Sequence, residues 1–130
     1  VGVYQKASPD LVAIVEAGEA ESPRAETTLR RDLAEIVQLG ADVLVLGCTH
    51  YPLLRPTIER VYPSAFKLVD SAATTAAAVE RRLDHARMRA EGSTPSHELL
   101  VTAVPDRFNE VADILFGEQV PEVREINLWD

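Results

Sequence analysis

The sequence predicts an α/β fold, a parallel sheet flanked by helices, and three observations carry that prediction. The continuous aliphatic run Val43-Leu44-Val45-Leu46 lies between a helix stop and Gly47, as a parallel strand covered on both faces does. A second short strand, Phe66 to Val69, follows one helical stretch later. The segments around both strands place apolar residues three and four apart, the spacing of helices with one buried face. The 130 residues, 46% hydrophobic and 26% charged, suffice for one aliphatic core and are too apolar for a disordered acidic tail.

Taken in order, Val1-Gly2-Val3-Tyr4 reads as a strand, and because Val1 stands where a Met is usual, the expectation is a chain lacking its beginning. Ser8-Pro9 is a cap followed by a first-turn proline; Leu11, Val12, Ile14 and Val15 continue a short helix to about Glu16, with Gly18 as its stop. Ser22-Pro23 repeats that start, and Ala25, Leu29, Leu33, Ile36 and Val37 recur at helical spacing until Gly40. After the Val43–Leu46 strand and the loop Gly47 to Pro52, Leu54, Ile58 and Val61 predict a helix ending before Pro63. Asp70 and Ser71 close the Phe66–Val69 strand. From Ala72, the positions Ala76, Val79, Leu83, Ala86 and Ala90 predict a long amphipathic helix with Ser71 as its cap. Glu91 to Ser96 is rich in loop formers and connects two substructures. Beyond it, a strand at Glu98 to Thr102, a helix through Phe108, Val111, Ala112 and Leu115 to Gly117, and a strand at Val123 to Leu128 complete the alternation.

Charge and composition narrow the function. The net charge of −8, with no basic cluster, argues against a nucleic-acid or anionic-membrane surface. No apolar run approaches the roughly 18 to 20 residues of a membrane-spanning helix. The single cysteine, Cys48, excludes an internal disulfide and fits a reducing compartment such as the cytoplasm. His85 and His97 lie at no metal-type spacing from Cys48 and His50, so no metal site is expected, and glycine-rich phosphate cradles are absent.

Parallel sheets bind ligands at the carboxyl ends of their strands, which points to the loop Gly47 to Pro52 and to Asp70 to Ala72. The first is the denser chemically. Gly47 admits close backbone approach, Cys48 brings a thiol, Thr49 a hydroxyl, His50 an imidazole, and the next helix start offers backbone N–H groups to an anion. A carboxylate ligand suits that set, with Cys48 as nucleophile or base. Each residue also has a purely structural reading: Cys48 as a small buried hydrophobe, His50 as a cap, Glu16 as a solvated helix end, Asp70 and Ser71 as strand end and cap. A thiol hydrolase built on Cys48 and His50 lacks an identifiable third group to orient the imidazole.

Leu46-Gly47-Cys48-Thr49-His50-Tyr51-Pro52-Leu53-Leu54 resembles the second cysteine motif of the glutamate racemases, within the wider aspartate/glutamate racemase family. The resemblance extends to Ala7 through Gly18, to Leu68-Val69-Asp70-Ser71 and to Phe108 through Gly117; Ser8-Pro9 stands where the family more often has Cys-Pro, and Asp10 where an apolar residue is usual. It implies one lobe of a two-lobe fold plus a returning carboxyl-terminal segment: residues 1–91 as the catalytic lobe and long helix, its boundary between 75 and 96, and 97–130 as the segment that packs on the absent first lobe. It further implies cofactor-independent inversion of glutamate, supplying D-glutamate for peptidoglycan in the bacterial cytoplasm, by one cysteine removing the α-proton while another delivers one from the opposite face. By resemblance Cys48 is one of these, His50 assists it, Glu16 is the acidic partner across the site, and Gly47 and Thr49 hold the substrate. One thiol returns a planar intermediate to its original enantiomer, so inversion requires the missing lobe or self-association. A chain that leaves apolar surface uncovered should associate. The other function consistent with the residues is a non-catalytic module that binds an acidic amino acid or a partner protein.

Overall fold

The computed structural model describes residues 1–90, 92, 94, 96–103, 108–109, 112–113 and 123–128. It falls into two units, Val1–Arg89 and Ala90–Asp130.

The first unit is built from α1 (Pro9–Glu16), α2 (Pro23–Gln38), β1 (Val43–Leu46), a 3-10 turn (Tyr51–Leu54), α3 (Arg55–Val61), β2 (Lys67–Asp70) and α4 (Ser71–Ala86). Both of the first helices begin with proline at the first helical position, where its missing N–H costs nothing. At α2 the Ser22 hydroxyl accepts the Ala25 N–H at 3.2 Å, satisfying one orphan donor. Gly18 and Gly40, at φ +72° and +73°, take the left-handed conformation that ends each helix. β1 and β2 run parallel with Val43 opposite Lys67 and Leu46 opposite Asp70.

The core lies where α1, α2 and α3 close over one face of this pair. Leu11, Ile14 and Val15 of α1 meet Leu29, Leu33 and Ile36 of α2, with Leu46, Leu54 and Ile58 completing the cluster. Polar groups stitch its margins: the Thr57 hydroxyl donates to the Ala20 carbonyl at 2.8 Å, the Tyr62 hydroxyl to the Arg30 carbonyl at 3.0 Å, and Arg60 Nε to Glu26 at 2.8 Å, so α3 and the residue after it are tied to the α1–α2 connection and to the first half of α2.

Four expectations are corrected. Val1 to Tyr4 is not a strand, since among the described residues β1 pairs only with β2, and an extended segment without a partner lacks the ladder that defines one. A cavity of about 860 Å³, lined by residues 1–6, by β1 and by core residues such as Leu29 and Leu33, lies beside that segment. β1 is covered on one face rather than both: Leu46 is buried, whereas Val43 and Val45 are 46% and 66% exposed. The cap of α4 is Asp70, not Ser71, because Ser71 is already helical and the Asp70 carboxylate accepts the Ala73 N–H at 2.7 Å. The apolar stripe of α4 is not buried; Val79 is 52% exposed and no residue of the helix is in the core.

In the second unit β3 (Leu99–Val101) and β4 (Val123–Glu125) pair in parallel, and the Ile126 N–H donates to the Val101 carbonyl at 2.8 Å. Both strands are shorter than the expected Glu98 to Thr102 and Val123 to Leu128. Phe108 and Ala112 are helical as expected; Val111, Leu115 and Gly117 lie outside the described residues.

Candidate functional site

β1 ends at Leu46, and the chain then runs through Gly47, Cys48 and Thr49 into the 3-10 turn that leads to α3. Within this loop the Tyr51 N–H donates to the Cys48 carbonyl at 3.3 Å and the Leu53 N–H to the His50 carbonyl at 3.2 Å. Two of the donors that the sequence offers to an anion are therefore used by the loop itself. The Tyr51 hydroxyl reaches across to the Ser8 carbonyl at 3.0 Å, and burial pushes its phenol above the ordinary range. This bond pins the loop to the start of α1.

The end of α1 supplies the other anchor. Glu16, its last residue, places Oε1 at 3.3 Å from His50 Nε2, while His50 Nδ1 lies 3.7 Å from Cys48 Sγ and 3.5 Å from the Thr49 hydroxyl. A carboxylate at a helix carboxyl terminus meets the unfavourable end of the dipole, and the imidazole N–H offsets that. The two ring nitrogens are thus addressed from opposite sides, Nε2 by the Glu16 carboxylate and Nδ1 by the Cys48 thiol and the Thr49 hydroxyl. Cys48 and His50 are partly exposed, and Gly47 and Thr49 are exposed, so the string opens to solvent. A β-carbon at Gly47 would meet nothing within 4 Å, leaving that approach free.

All five residues singled out from the sequence thus come together at one strand end: Cys48, His50 and Glu16 as a connected string, Gly47 and Thr49 beside it. Glu16 is the carboxylate that lies beside the imidazole, on the side away from the thiol. No cluster of three potential metal ligands occurs among the described residues.

Three contributors escaped the sequence reading. Tyr51 has no role of its own in the sequence reading, yet it anchors the loop. Arg55 opens α3 and donates to the buried Asp70 at 2.7 Å. Asp32 sits buried in α2, its carboxyl held below the ordinary range by the Arg31 guanidinium and the Ser8 hydroxyl. The last had a visible signal, an acid three residues after Leu29 and one before Leu33 on the apolar stripe.

A thiol, an imidazole and a carboxylate in line at the carboxyl end of a parallel strand make up a candidate proton-transfer or nucleophilic site on an α/β sheet. The Asp/Glu/Hydantoin racemase family model matches residues 3–79, and the chain belongs to that family. It is 40% identical over 135 residues to a glutamate racemase of Desulforudis audaxviator, covering 97% of this chain and 49% of that protein. The glutamate racemase of Thermus thermophilus, solved in complex with β-chloro-D-alanine, superposes with a TM-score of 0.82 at 36% identity, covering 95% of this chain and 47% of the other. Glutamate racemase isoform RacE1 of Bacillus anthracis gives a TM-score of 0.84 at 27% identity, covering 98% and 48%. The chain spans about half the length of the relatives it matches.

Proposed function

We propose that this chain serves the cofactor-independent interconversion of L- and D-glutamate, contributing one of the two proton-transfer groups that inversion needs. The observation that carries the reading is the Glu16–His50–Cys48 string at the end of β1, inside a segment that matches a racemase family. Cys48 removes or delivers the α-proton on one face of the substrate; His50, with Nε2 beside Glu16 and Nδ1 beside the thiol, assists it. Gly47 and Thr49 hold the substrate beside it. The opposite face requires a second acid, supplied by an amino-terminal lobe or by another copy of the chain. In this reading residues 1–91 form the catalytic lobe and 97–130 the segment returning to the other lobe, and D-glutamate feeds peptidoglycan synthesis in the bacterial cytoplasm.

Support comes from the relatives, which are glutamate racemases, one of them bound to a D-amino-acid analogue. The test is alkylation of Cys48 by iodoacetamide, followed by mass spectrometry, with and without saturating L- or D-glutamate. The reading expects glutamate to slow alkylation at least several-fold while a neutral amino acid of similar size does not. An alkylation rate indifferent to glutamate would overturn it and leave Cys48 as part of a non-catalytic module.

A further inference from the structure

The Cys48 loop has two ends, and both meet the same residue. Its entry, Leu46, lies opposite Asp70 in the β1–β2 register. Its exit, Arg55, donates from Nη2 to Asp70 Oδ2 at 2.7 Å. The remaining carboxylate oxygen, Oδ1, accepts the Ala73 N–H at 2.7 Å, and the Asp70 carbonyl accepts the Thr74 hydroxyl, also at 2.7 Å. The side chain is buried.

We propose that Asp70 is a positioning residue that closes the Cys48 loop at its base, with Arg55 as the tether. This rests on the reading of Cys48 as a proton-transfer group. Capping alone does not call for a carboxylate: Ser22 caps α2 through a single hydroxyl oxygen. The second oxygen of Asp70 is the one given to Arg55, and a buried acid with both oxygens engaged is a two-purpose group. Arg55 has another partner in Glu59, but at 3.6 Å on its own exposed helix face, so Asp70 is the closer acceptor. With the base closed, the Tyr51 bonds to Cys48 and Ser8 hold the middle of the loop, Glu16 faces the imidazole, and the thiol-to-imidazole separation is held between them.

The two purposes separate by substitution. Asp70→Asn keeps an oxygen for the Ala73 N–H and turns an amide donor towards Arg55, so the cap survives and the tether breaks. Arg55→Gln breaks the tether from the other side, and Arg55→Lys restores part of it. The readout is amide hydrogen exchange by NMR on the substrate-free chain. Tyr51 and Leu53 amides should lose about tenfold protection in Asp70→Asn and in Arg55→Gln, while Leu33 and Ile36 amides of α2 keep theirs. Cys48 alkylation rates should change by the same factor in both variants and no further in the double variant. Loop protection equal to wild type in both single variants, or additive effects on alkylation, would overturn the proposal. Should Asp70→Asn fail to fold, Arg55→Gln decides it, because that change leaves the cap intact. Hydrogen exchange needs no substrate, so this outcome stands apart from that of the racemase reading, which glutamate protection of Cys48 decides.

Discussion

Helices α2 and α4 are each 16 residues long and each starts with a side chain that accepts the third backbone N–H, yet α2 buries Ala25, Thr28, Leu29, Asp32, Leu33 and Ile36 whereas α4 buries nothing. Both show apolar residues three and four apart in the sequence. The difference lies in what each stripe faces. The α2 stripe meets α1 and α3, and tertiary packing holds the helix. α4 relies on alanine propensity, on the Asp70 cap and on Arg89 pairing with Glu80 and Asp84. The site belongs to the packed side: Glu16, Tyr51 and Cys48 are carried by α1 and by the loop between β1 and α3. Periodicity in a sequence therefore shows that a helix has an apolar face, and the surrounding chain decides whether that face is covered.

Substitutions that remove packing should break this contrast most visibly. Leu29→Ala in α2 is expected to cost about 2–5 kcal/mol, because Leu29 is almost fully buried and leaves a cavity. Val79→Ala in α4 is expected to stay within about 0.5 kcal/mol. Urea unfolding of both variants gives the two values, and equal costs would mean that α4 is covered after all. Smaller is the loss of a cap: Ser22→Ala should cost about 1 kcal/mol by the same measurement.

The smallest effect concerns pH and separates the two helix starts. Asp70 is held below its ordinary carboxylate range, first by the Ala73 N–H and then by Arg55. A depressed folded-state pKa gives stability that is present above the unfolded value, about 3.9, and is lost as pH falls through the folded value. The Ser22 hydroxyl does not titrate. Acidification below about pH 4 should therefore loosen the start of α4 before that of α2, seen as earlier loss of protection at the Ala73 amide than at Ala25. Simultaneous loss would show that the two caps are not independent.

Much of this was legible in the residues. The two helix starts at Ser8-Pro9 and Ser22-Pro23, the stops at Gly18 and Gly40, and the strand Val43–Leu46 are local signals, and the structure places all of them where the sequence does. The strand read into Val1 to Tyr4 failed because a strand is a pairing, and pairing is not encoded in one segment. Ser71 was mistaken for a cap because a cap is fixed by which side chain precedes the first helical φ/ψ, and Asp70 and Ser71 are both good candidates. At the site, residue types and loop position marked Cys48 and His50, and resemblance added Glu16. The contact between Glu16 and His50 joins positions far apart in sequence, as do Tyr51 with Ser8 and Arg55 with Asp70. No spacing rule reaches such pairs; they follow from the way α1 and β2 flank the loop.

The central claim is that Cys48 moves the α-proton of glutamate on one face only. Incubating the chain in deuterated water with L-glutamate and, separately, with D-glutamate, while following α-proton loss by NMR and optical inversion by circular dichroism, tests it most directly. The account predicts that the monomeric chain exchanges one enantiomer without inverting it and that Cys48→Ser abolishes the exchange. Exchange that survives in Cys48→Ser, or no exchange of either enantiomer by the unsubstituted chain, would contradict it.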